Sequence, residues 1–92
     1  MNVEWSSKAR IDLHDIFDYI LQENPAAAVK VLEAIEQATL KLSDHPGIGR
    51  PGRVENTREL VISGFPYTLP YCVEGDVVTV IRAMHTSRKW PD

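Results

Sequence analysis

The first half of the chain carries hydrophobic residues at helical spacing. Apolar side chains recur every three or four positions over residues 9–21 and again over residues 28–42, which places them on one face of an α-helix. Ser6 and Ser7 offer N-cap oxygens before the first run. Asn24-Pro25 ends the first helix and begins the second. Because the connection is so short, the pattern predicts an antiparallel helical hairpin.

Strand-like patterns flank this hairpin. Residues 3–5 alternate apolar and polar side chains, which suits a short strand. The segment 44–53 holds three glycines and two prolines and predicts an irregular loop. Pro70 cannot donate to a strand ladder, so its nitrogen must face an unpaired position or a bulge. Three β-type runs, separated by turns that favour antiparallel pairing, cover residues 58–63, 67–74 and 77–85.

Together these elements predict an α+β fold. It comprises an N-terminal short strand, an antiparallel helical hairpin and a three-stranded antiparallel meander, with the helices on one face of the sheet. A chain of 92 residues suits one domain spanning residues 1–92. Strict alternation in the last run would place Arg82 and Met84 on the face of Val80, and His85 on the opposite face.

Composition excludes several classes of protein. Hydrophobic residues make up 43% of the chain and charged residues 25%, as in globular domains rather than disordered or fibrous chains. The apolar runs are far shorter than the roughly 20 residues of a membrane-spanning helix, and residues 1–5 do not resemble a secretory signal. A single cysteine, Cys72, allows no internal disulfide. We therefore expect a cytoplasmic protein with no membrane partner.

Charge is distributed unevenly along the chain. The net charge is −3, with four basic and eight acidic residues in positions 1–46, and six basic and five acidic residues in positions 47–92. Proteins held on nucleic acid mainly by phosphate contacts are usually strongly basic. Any nucleic-acid role must therefore rest on a local patch.

The C-terminal segment is such a patch. Its basic, titratable and aromatic side chains are Arg82, His85, Arg88, Lys89 and Trp90. A histidine can donate or accept a proton near neutrality, and guanidinium groups stabilise developing negative charge. The segment suits the handling of a phosphate or the binding of an acidic surface. The alternative is a strand end that runs into a solvated tail.

Other motifs carry less information. Gly47-x-Gly49-x-x-Gly52 matches a dinucleotide fingerprint formally, but it leaves a predicted helix and approaches a strand, the reverse of what such a site needs. On the same loop, Arg50 and Arg53 are either anion or partner contacts or solvated charges.

The acidic residues of the first helix also suggest no site. His14 and Asp18 lie one turn apart without further ligands nearby in sequence, and Asp12, Asp15 and Asp18 suit a solvated stripe. We expect neither a metal nor a small-molecule cofactor.

Six strings follow one another in order along nearly the whole chain. They are Ala9-x-x-Asp12-Leu13-x-x-Ile16-x-x-Tyr19-Ile20, Asn24-Pro-Ala-Ala-Ala28, Leu42-x-x-His45-Pro46-x-Ile48-Gly49-Arg50, Thr57-Arg58-Glu59-Leu60, Pro66-Tyr67-x-x-x-Tyr71 and His85-x-x-Arg88-x-Trp90-Pro91. In this order they resemble the RelE/ParE family of bacterial toxins. The resemblance implies a helical hairpin on a small, mostly antiparallel sheet. It also implies the toxin half of a type II toxin–antitoxin pair, neutralised by a cognate antitoxin.

The resemblance implies two kinds of target. RelE-like members cleave mRNA on the ribosome through attack of a 2′-OH on the neighbouring phosphate, whereas ParE-like members poison DNA gyrase. In the nucleases an arginine commonly precedes a Leu-x-Tyr string, and the matching position here is Thr68. His85, with Arg82 or Arg88, would be the catalytic set of a nuclease. Because positioning and charge stabilisation supply most of the rate, the missing arginine favours ParE-like inhibition of DNA gyrase.

Two alternatives to gyrase inhibition stay open. One is a RelE-like, ribosome-dependent mRNA endoribonuclease, and the other is a degenerate, non-toxic binding module. In the favoured interpretation, the residues that contact the target are Arg50, Arg53, Arg82, His85, Arg88, Lys89 and Trp90. The expected antitoxin contributes an acidic or amphipathic segment that covers a sheet edge or the groove beside the helical hairpin.

Overall fold

The computed structural model describes residues 1–91, and it contains the predicted helical hairpin. Helix α1 spans Ser7–Glu23 and helix α2 spans Pro25–Asp44. The side chains of Ser6 and Asn24 are the N-caps, and each accepts a hydrogen bond from the amide three residues on, at 3.0 and 3.2 Å. Within residues 1–91, neither helix has both the length and the apolar character needed to cross a bilayer.

The sheet is larger than the predicted meander. Its strands within residues 1–91 are β1 (Asn2–Trp5), β2 (Arg50–Pro51), β3 (Thr57–Val61), β4 (Tyr67–Glu74), β5 (Val77–Val80) and β6 (Met84–His85). The order is β1-β5-β4-β3-β2, and β6 pairs with β4. Strand β1 runs parallel to β5, and every other pair is antiparallel. The α+β fold and the β3–β4–β5 meander are therefore confirmed, within a mixed sheet.

The loop after α2 contains a short strand that the composition does not predict. Arg50 and Pro51 pair with Glu59 and Arg58 of β3, and Asp44 is the last residue of α2. The expectation of an irregular segment throughout 44–53 was therefore wrong at these three positions. Two residues carry no periodic signal, and their pairing depends on the edge that β3 offers.

A β-bulge interrupts the last predicted strand. The amides of Ile81 and Arg82 both point to the carbonyl of Pro70, at 2.8 and 3.5 Å. The amide nitrogen and carbonyl of one strand residue point to the same side, so the nitrogen of Pro70 faces the bulge. The prediction that Pro70 requires an unpaired position or a bulge is confirmed.

The bulge also moves the side chains that follow it to the opposite face of the sheet. Val80 pairs with Tyr71 on the core side of the sheet, whereas Met84 pairs with Thr68. One inserted residue moves later side chains to the other face. The prediction that Met84 shares the face of Val80 was therefore wrong.

The hydrophobic core lies between the helices and one face of the sheet. Alternate residues of β4 and β5, such as Leu69, Tyr71 and Val78, pack there with Val31, Ile35 and Leu42 of α2. Burial of each such side chain contributes about 1.5–3 kcal/mol. The other residues of β4, Thr68 and Pro70 among them, point to the opposite face.

Candidate functional site

A cleft of about 360 Å³ gathers basic residues from two distant parts of the chain. One wall comes from the β2 segment and holds Arg50 and Arg53, and the other comes from the C-terminal segment and holds Arg88, Lys89 and Trp90. We call this the basic cleft. Its remaining lining residues are Pro51, Glu59, Thr68, Pro70, Met84 and Thr86. The structure thus joins the two groups of candidate residues that the sequence leaves separate.

The hydroxyl of Tyr71 holds the first wall in place. It donates to the carbonyl of Pro46 at 2.7 Å and accepts from the amide of Gly49 at 2.9 Å. The Arg58 guanidinium donates to the Gly49 carbonyl at 2.8 Å. A Cβ on Gly49 would lie 2.7 Å from the Tyr71 ring, so this approach requires glycine. The loop that leads to Arg50 is therefore anchored directly to the core.

Glu59 is a member of the cleft that sequence reasoning missed. It lies opposite Arg50 in the β2–β3 register, and the Arg50 guanidinium donates to its carboxylate at 3.2 Å. The Arg50 side chain is 63% exposed and that of Glu59 is 14% exposed. Because the guanidinium of the pair is largely in water, the pair contributes little stability, and its main effect is to orient Arg50. The cross-strand pairing becomes visible only once β2 is known.

The second wall is a tightly folded turn. The Thr86 amide donates to the Pro66 carbonyl at 2.9 Å, and the Arg88 amide donates to the His85 carbonyl at 3.0 Å. The Ser87 amide donates to Nδ1 of His85 at 3.0 Å. These bonds place Arg88 and the residues after it beside the cleft.

His85 lies outside the basic cleft, although the sequence groups it with Arg88 and Lys89. Its ring packs edge-on against Tyr67, with centroids 5.8 Å apart, and it does not line the basic cleft. Because Nδ1 accepts from the Ser87 amide, Nε2 is the ring nitrogen left for proton exchange. His85 is nevertheless exposed, next to the turn that carries Arg88.

Arg82 lies outside the cleft lining and is paired with α1. Its Nε and Nη2 donate to the two carboxylate oxygens of Asp12, at 2.7 and 3.1 Å, and the Ala83 amide donates to Asp12 Oδ2 at 3.0 Å. The Arg82 and Asp12 side chains are only 15% and 16% exposed. The expectation that Asp12 belongs to a solvated stripe was therefore wrong, whereas Asp15 and Asp18 are exposed.

The charge state of Asp12 follows from these contacts. Burial alone would raise the pKa of its carboxyl. The hydrogen bonds from Arg82 and Ala83 and the positive charges of Arg82 and Arg88 outweigh burial, and they hold that pKa below its usual value. Asp12 is an anion at neutral pH, matched to the guanidinium beside it.

Thr68 lies in the basic cleft, whereas His14 and Asp18 lie on the exposed surface of α1. Thr68 is 6% exposed and lines the cleft, where a nuclease of the resembled family would carry an arginine. His14 and Asp18 form an exposed pair at 3.1 Å. In the described part of the chain, no three His, Cys, Asp or Glu side chains cluster as a metal site would require.

Comparisons with known proteins agree with this architecture. A family model described as the ParE toxin of type II toxin–antitoxin system, parDE, matches residues 3–90. The Sinorhizobium fredii protein Y4kP, named as a toxin, is 38% identical over 89 residues, which are 97% of this chain and 92% of that protein. Toxin RelE2 of Caulobacter vibrioides is 35% identical, over 94% of this chain and 96% of its own length. A structure of the chromosomal ParDE system from P. aeruginosa superposes with a TM-score of 0.81 at 28% identity, covering 92% of this chain and 95% of the other.

The hairpin on a mixed sheet is thus the fold of the small RelE/ParE toxins. Within that class, the match over residues 3–90 shows that this chain belongs to the ParE toxin family and is the toxin of a type II toxin–antitoxin system.

Proposed function

We propose that this toxin arrests growth in the bacterial cytoplasm by binding DNA gyrase through the basic cleft. The observation that carries the proposal is the convergence of Arg50, Arg53, Arg88, Lys89 and Trp90 in one concavity on a chain whose net charge is −3. A local positive cleft on an acidic protein favours an acidic protein surface over long stretches of phosphate backbone. Arginine and tryptophan are also the residue types that most often dominate binding energy at interfaces.

The chemistry available at the site supports binding rather than RNA cleavage. Thr68 supplies no positive charge to the cleft, and the Arg82 guanidinium is engaged by Asp12. Nδ1 of His85 is engaged by the Ser87 amide. A proton-transfer group without an adjacent phosphate clamp is a weak catalyst, because positioning and charge stabilisation supply most of the rate. Arg82 therefore serves the cleft indirectly in this proposal.

The second candidate is the ribosome-dependent endoribonuclease. His85 is exposed and lies close to Arg88, and one relative of this chain is named RelE2. In that mechanism Nε2 of His85 would exchange a proton with the reacting hydroxyl, and Arg88 would hold the phosphate. The third candidate, a non-toxic binding module, shares the cleft but stops no essential process.

One experiment separates these three functions. Purified toxin is titrated into a gyrase supercoiling assay and, in parallel, into a cell-free translation reaction. We expect supercoiling to be inhibited, and the Arg53→Glu/Lys89→Glu variant to need at least about tenfold more protein, equivalent to about 1.4 kcal/mol of lost binding. Lys30→Glu, an exposed charge reversal on α2 outside the cleft, is the matched control and retains full inhibition.

The other outcomes are equally informative. If supercoiling stays normal while translation stops, and if His85→Ala abolishes the translation arrest, the target is mRNA and not gyrase. Normal supercoiling, normal translation and unaffected growth on strong expression would leave only the binding module.

The antitoxin has a different surface available to it. Two adjoining cavities, bounded by β1, α1 and α2, share Trp5, Leu13 and Leu32 and together form a mainly apolar groove. Its apolar lining also includes Val3, Phe17 and Leu40, and its charged lining residues include Glu4, Arg10 and Glu36. In residues 1–91, β1 has a neighbouring strand on one side only, so its outer edge can accept an extended segment. The structural relative from P. aeruginosa is a ParDE system. The proposed partner is a cognate antitoxin whose amphipathic segment occupies this groove.

A further inference from the structure

Asp12 connects α1 to a part of the chain that lies seventy positions further on. One carboxylate accepts three hydrogen bonds, two from the Arg82 guanidinium and one from the Ala83 amide. Ser6, the cap of the same helix, adds two bonds, because its amide donates to the Val80 carbonyl and its hydroxyl donates to the Ile81 carbonyl, at 2.9 and 2.7 Å. The first turns of α1 therefore hold the whole bulge.

The bulge sets the direction of the chain that forms the C-terminal wall of the cleft. Just after Ala83, β6 pairs with β4 again, with Met84 opposite Thr68 and His85 opposite Tyr67. A shift of one residue at the bulge would exchange the two faces of β6. It would also displace the turn that carries Arg88 relative to the Arg50 wall. The position of the bulge thus determines whether the two walls face each other.

Stability alone does not explain this ion pair well. Both side chains are largely withdrawn from water, and desolvation of two charges often cancels most of the attraction between them. Replacement of such pairs by apolar residues is often neutral for stability. What the pair does supply is geometry, since a planar guanidinium and an amide converge on one carboxylate in a single arrangement.

We propose that Asp12 is a positioning residue for the target-binding surface: it fixes the bulge at residues 81–83 and thereby orients the wall formed by Arg88, Lys89 and Trp90. The inference rests on the proposed function of the basic cleft. Asp12 touches no target itself and acts only through Arg82 and Ala83.

The test compares four variants of the full chain. Asp12→Ala/Arg82→Ala removes both members of the ion pair together, and Asp12→Asn keeps an oxygen that can accept from the Ala83 amide. Asp15→Ala removes an exposed carboxylate from the same helix. Val31→Ala lowers stability through a buried side chain of α2 and leaves the hydrogen bonds of Asp12 and Ser6 to the bulge in place.

Two measurements are made well below the melting temperature of every variant. Amide hydrogen exchange reports the order of Ala83, Thr86 and Arg88, and the supercoiling assay reports the concentration for half-inhibition. For the double variant we expect at least tenfold faster exchange at these amides and at least tenfold weaker inhibition. Asp12→Asn should recover most of both losses, and Asp15→Ala and Val31→Ala should change neither by more than threefold.

Each other outcome has one meaning. Unchanged exchange at the three amides in the double variant would overturn the positioning role, as would an equal loss of inhibition in Val31→Ala. If wild-type toxin does not inhibit gyrase, the proposed target is wrong, yet the exchange rates still decide whether Asp12 orders the wall. The two proposals therefore fail separately.

Discussion

Tyr71 is the residue at which the hydrophobic core and the basic cleft meet. Its ring is fully buried, while its hydroxyl satisfies both the Pro46 carbonyl and the Gly49 amide. A buried hydroxyl with two partners is costly to delete, because both partners lose a hydrogen bond away from bulk water. The anchor that stabilises the fold is therefore also the anchor of the Arg50 wall.

We expect Tyr71→Phe to lower the free energy of unfolding by about 2 kcal/mol, because it leaves two backbone groups unsatisfied. Urea denaturation followed by circular dichroism measures this loss. Tyr67→Phe is the matched control: its hydroxyl has no hydrogen-bond partner in the described part of the chain, so the expected loss is below about 0.5 kcal/mol. Equal losses in the two variants would show that the hydroxyl bonds of Tyr71 contribute nothing specific.

At the scale of the elements, the two helices are built alike but joined to the sheet differently. The Asn24 side chain caps α2 and, within residues 1–91, makes no bond to the sheet, whereas the Ser6 side chain caps α1 and also donates to the Ile81 carbonyl at the bulge. Loss of an N-cap costs about 1 kcal/mol. Loss of a second, half-buried hydrogen bond adds about 1 kcal/mol.

Ser6→Ala should therefore cost about 2 kcal/mol and Asn24→Ala about 1 kcal/mol of unfolding free energy. Thermal and urea denaturation of the two variants under identical conditions gives the comparison. The difference should shrink when Ser6→Ala is made together with a variant that already disrupts the bulge, because the two changes share the bond to Ile81. A cost for Ser6→Ala no larger than that for Asn24→Ala would argue against the link between cap and bulge.

Prediction from sequence succeeded where the signal is local. The helices were predicted from a 3.6-residue period, from the cap oxygens offered by Ser6 and Ser7 and from the break at Asn24-Pro25, all readable within a few residues. The presence of an irregularity at Pro70 was predicted, because proline cannot donate to a strand ladder. The residues of the partner strand that form the bulge could not be predicted from Pro70. The β2 strand was missed, because its pairing with β3 is a property of the folded sheet.

At the scale of the whole molecule, the site was predicted in pieces and not as a surface. The Arg50/Arg53 loop and the C-terminal segment were both candidates, and only the strand order brings them together. Arg82 was grouped with them because it is near in sequence, yet its partner lies seventy positions away on α1. No periodic or compositional signal links Asp12 to Arg82. Whether the residues of the cleft contact gyrase stays a prediction.

The molecule carries two surfaces of opposite character, and this predicts opposite responses to salt. Charges around the exposed cleft are screened as the Debye length falls to about 10 Å at 0.1 M salt and below that at higher concentrations. Burial of apolar side chains in the groove is not weakened in this way. Raising NaCl from about 50 to 300 mM should weaken gyrase inhibition about tenfold through screening. Affinity for the antitoxin, measured by calorimetry, should change less than about threefold over the same range.

Salt can also affect the two assays directly. Substitutions in the two surfaces test the same contrast at constant salt. Leu40→Glu places a charge at an exposed position of the apolar groove and should weaken antitoxin binding while leaving gyrase inhibition intact. Lys89→Glu in the basic cleft should do the reverse. If instead both variants and both salt series weakened the two interactions together, the antitoxin would have to occupy the basic cleft itself. Neutralisation would then be direct competition for Arg88 and its neighbours, because one set of charges cannot serve two partners at once.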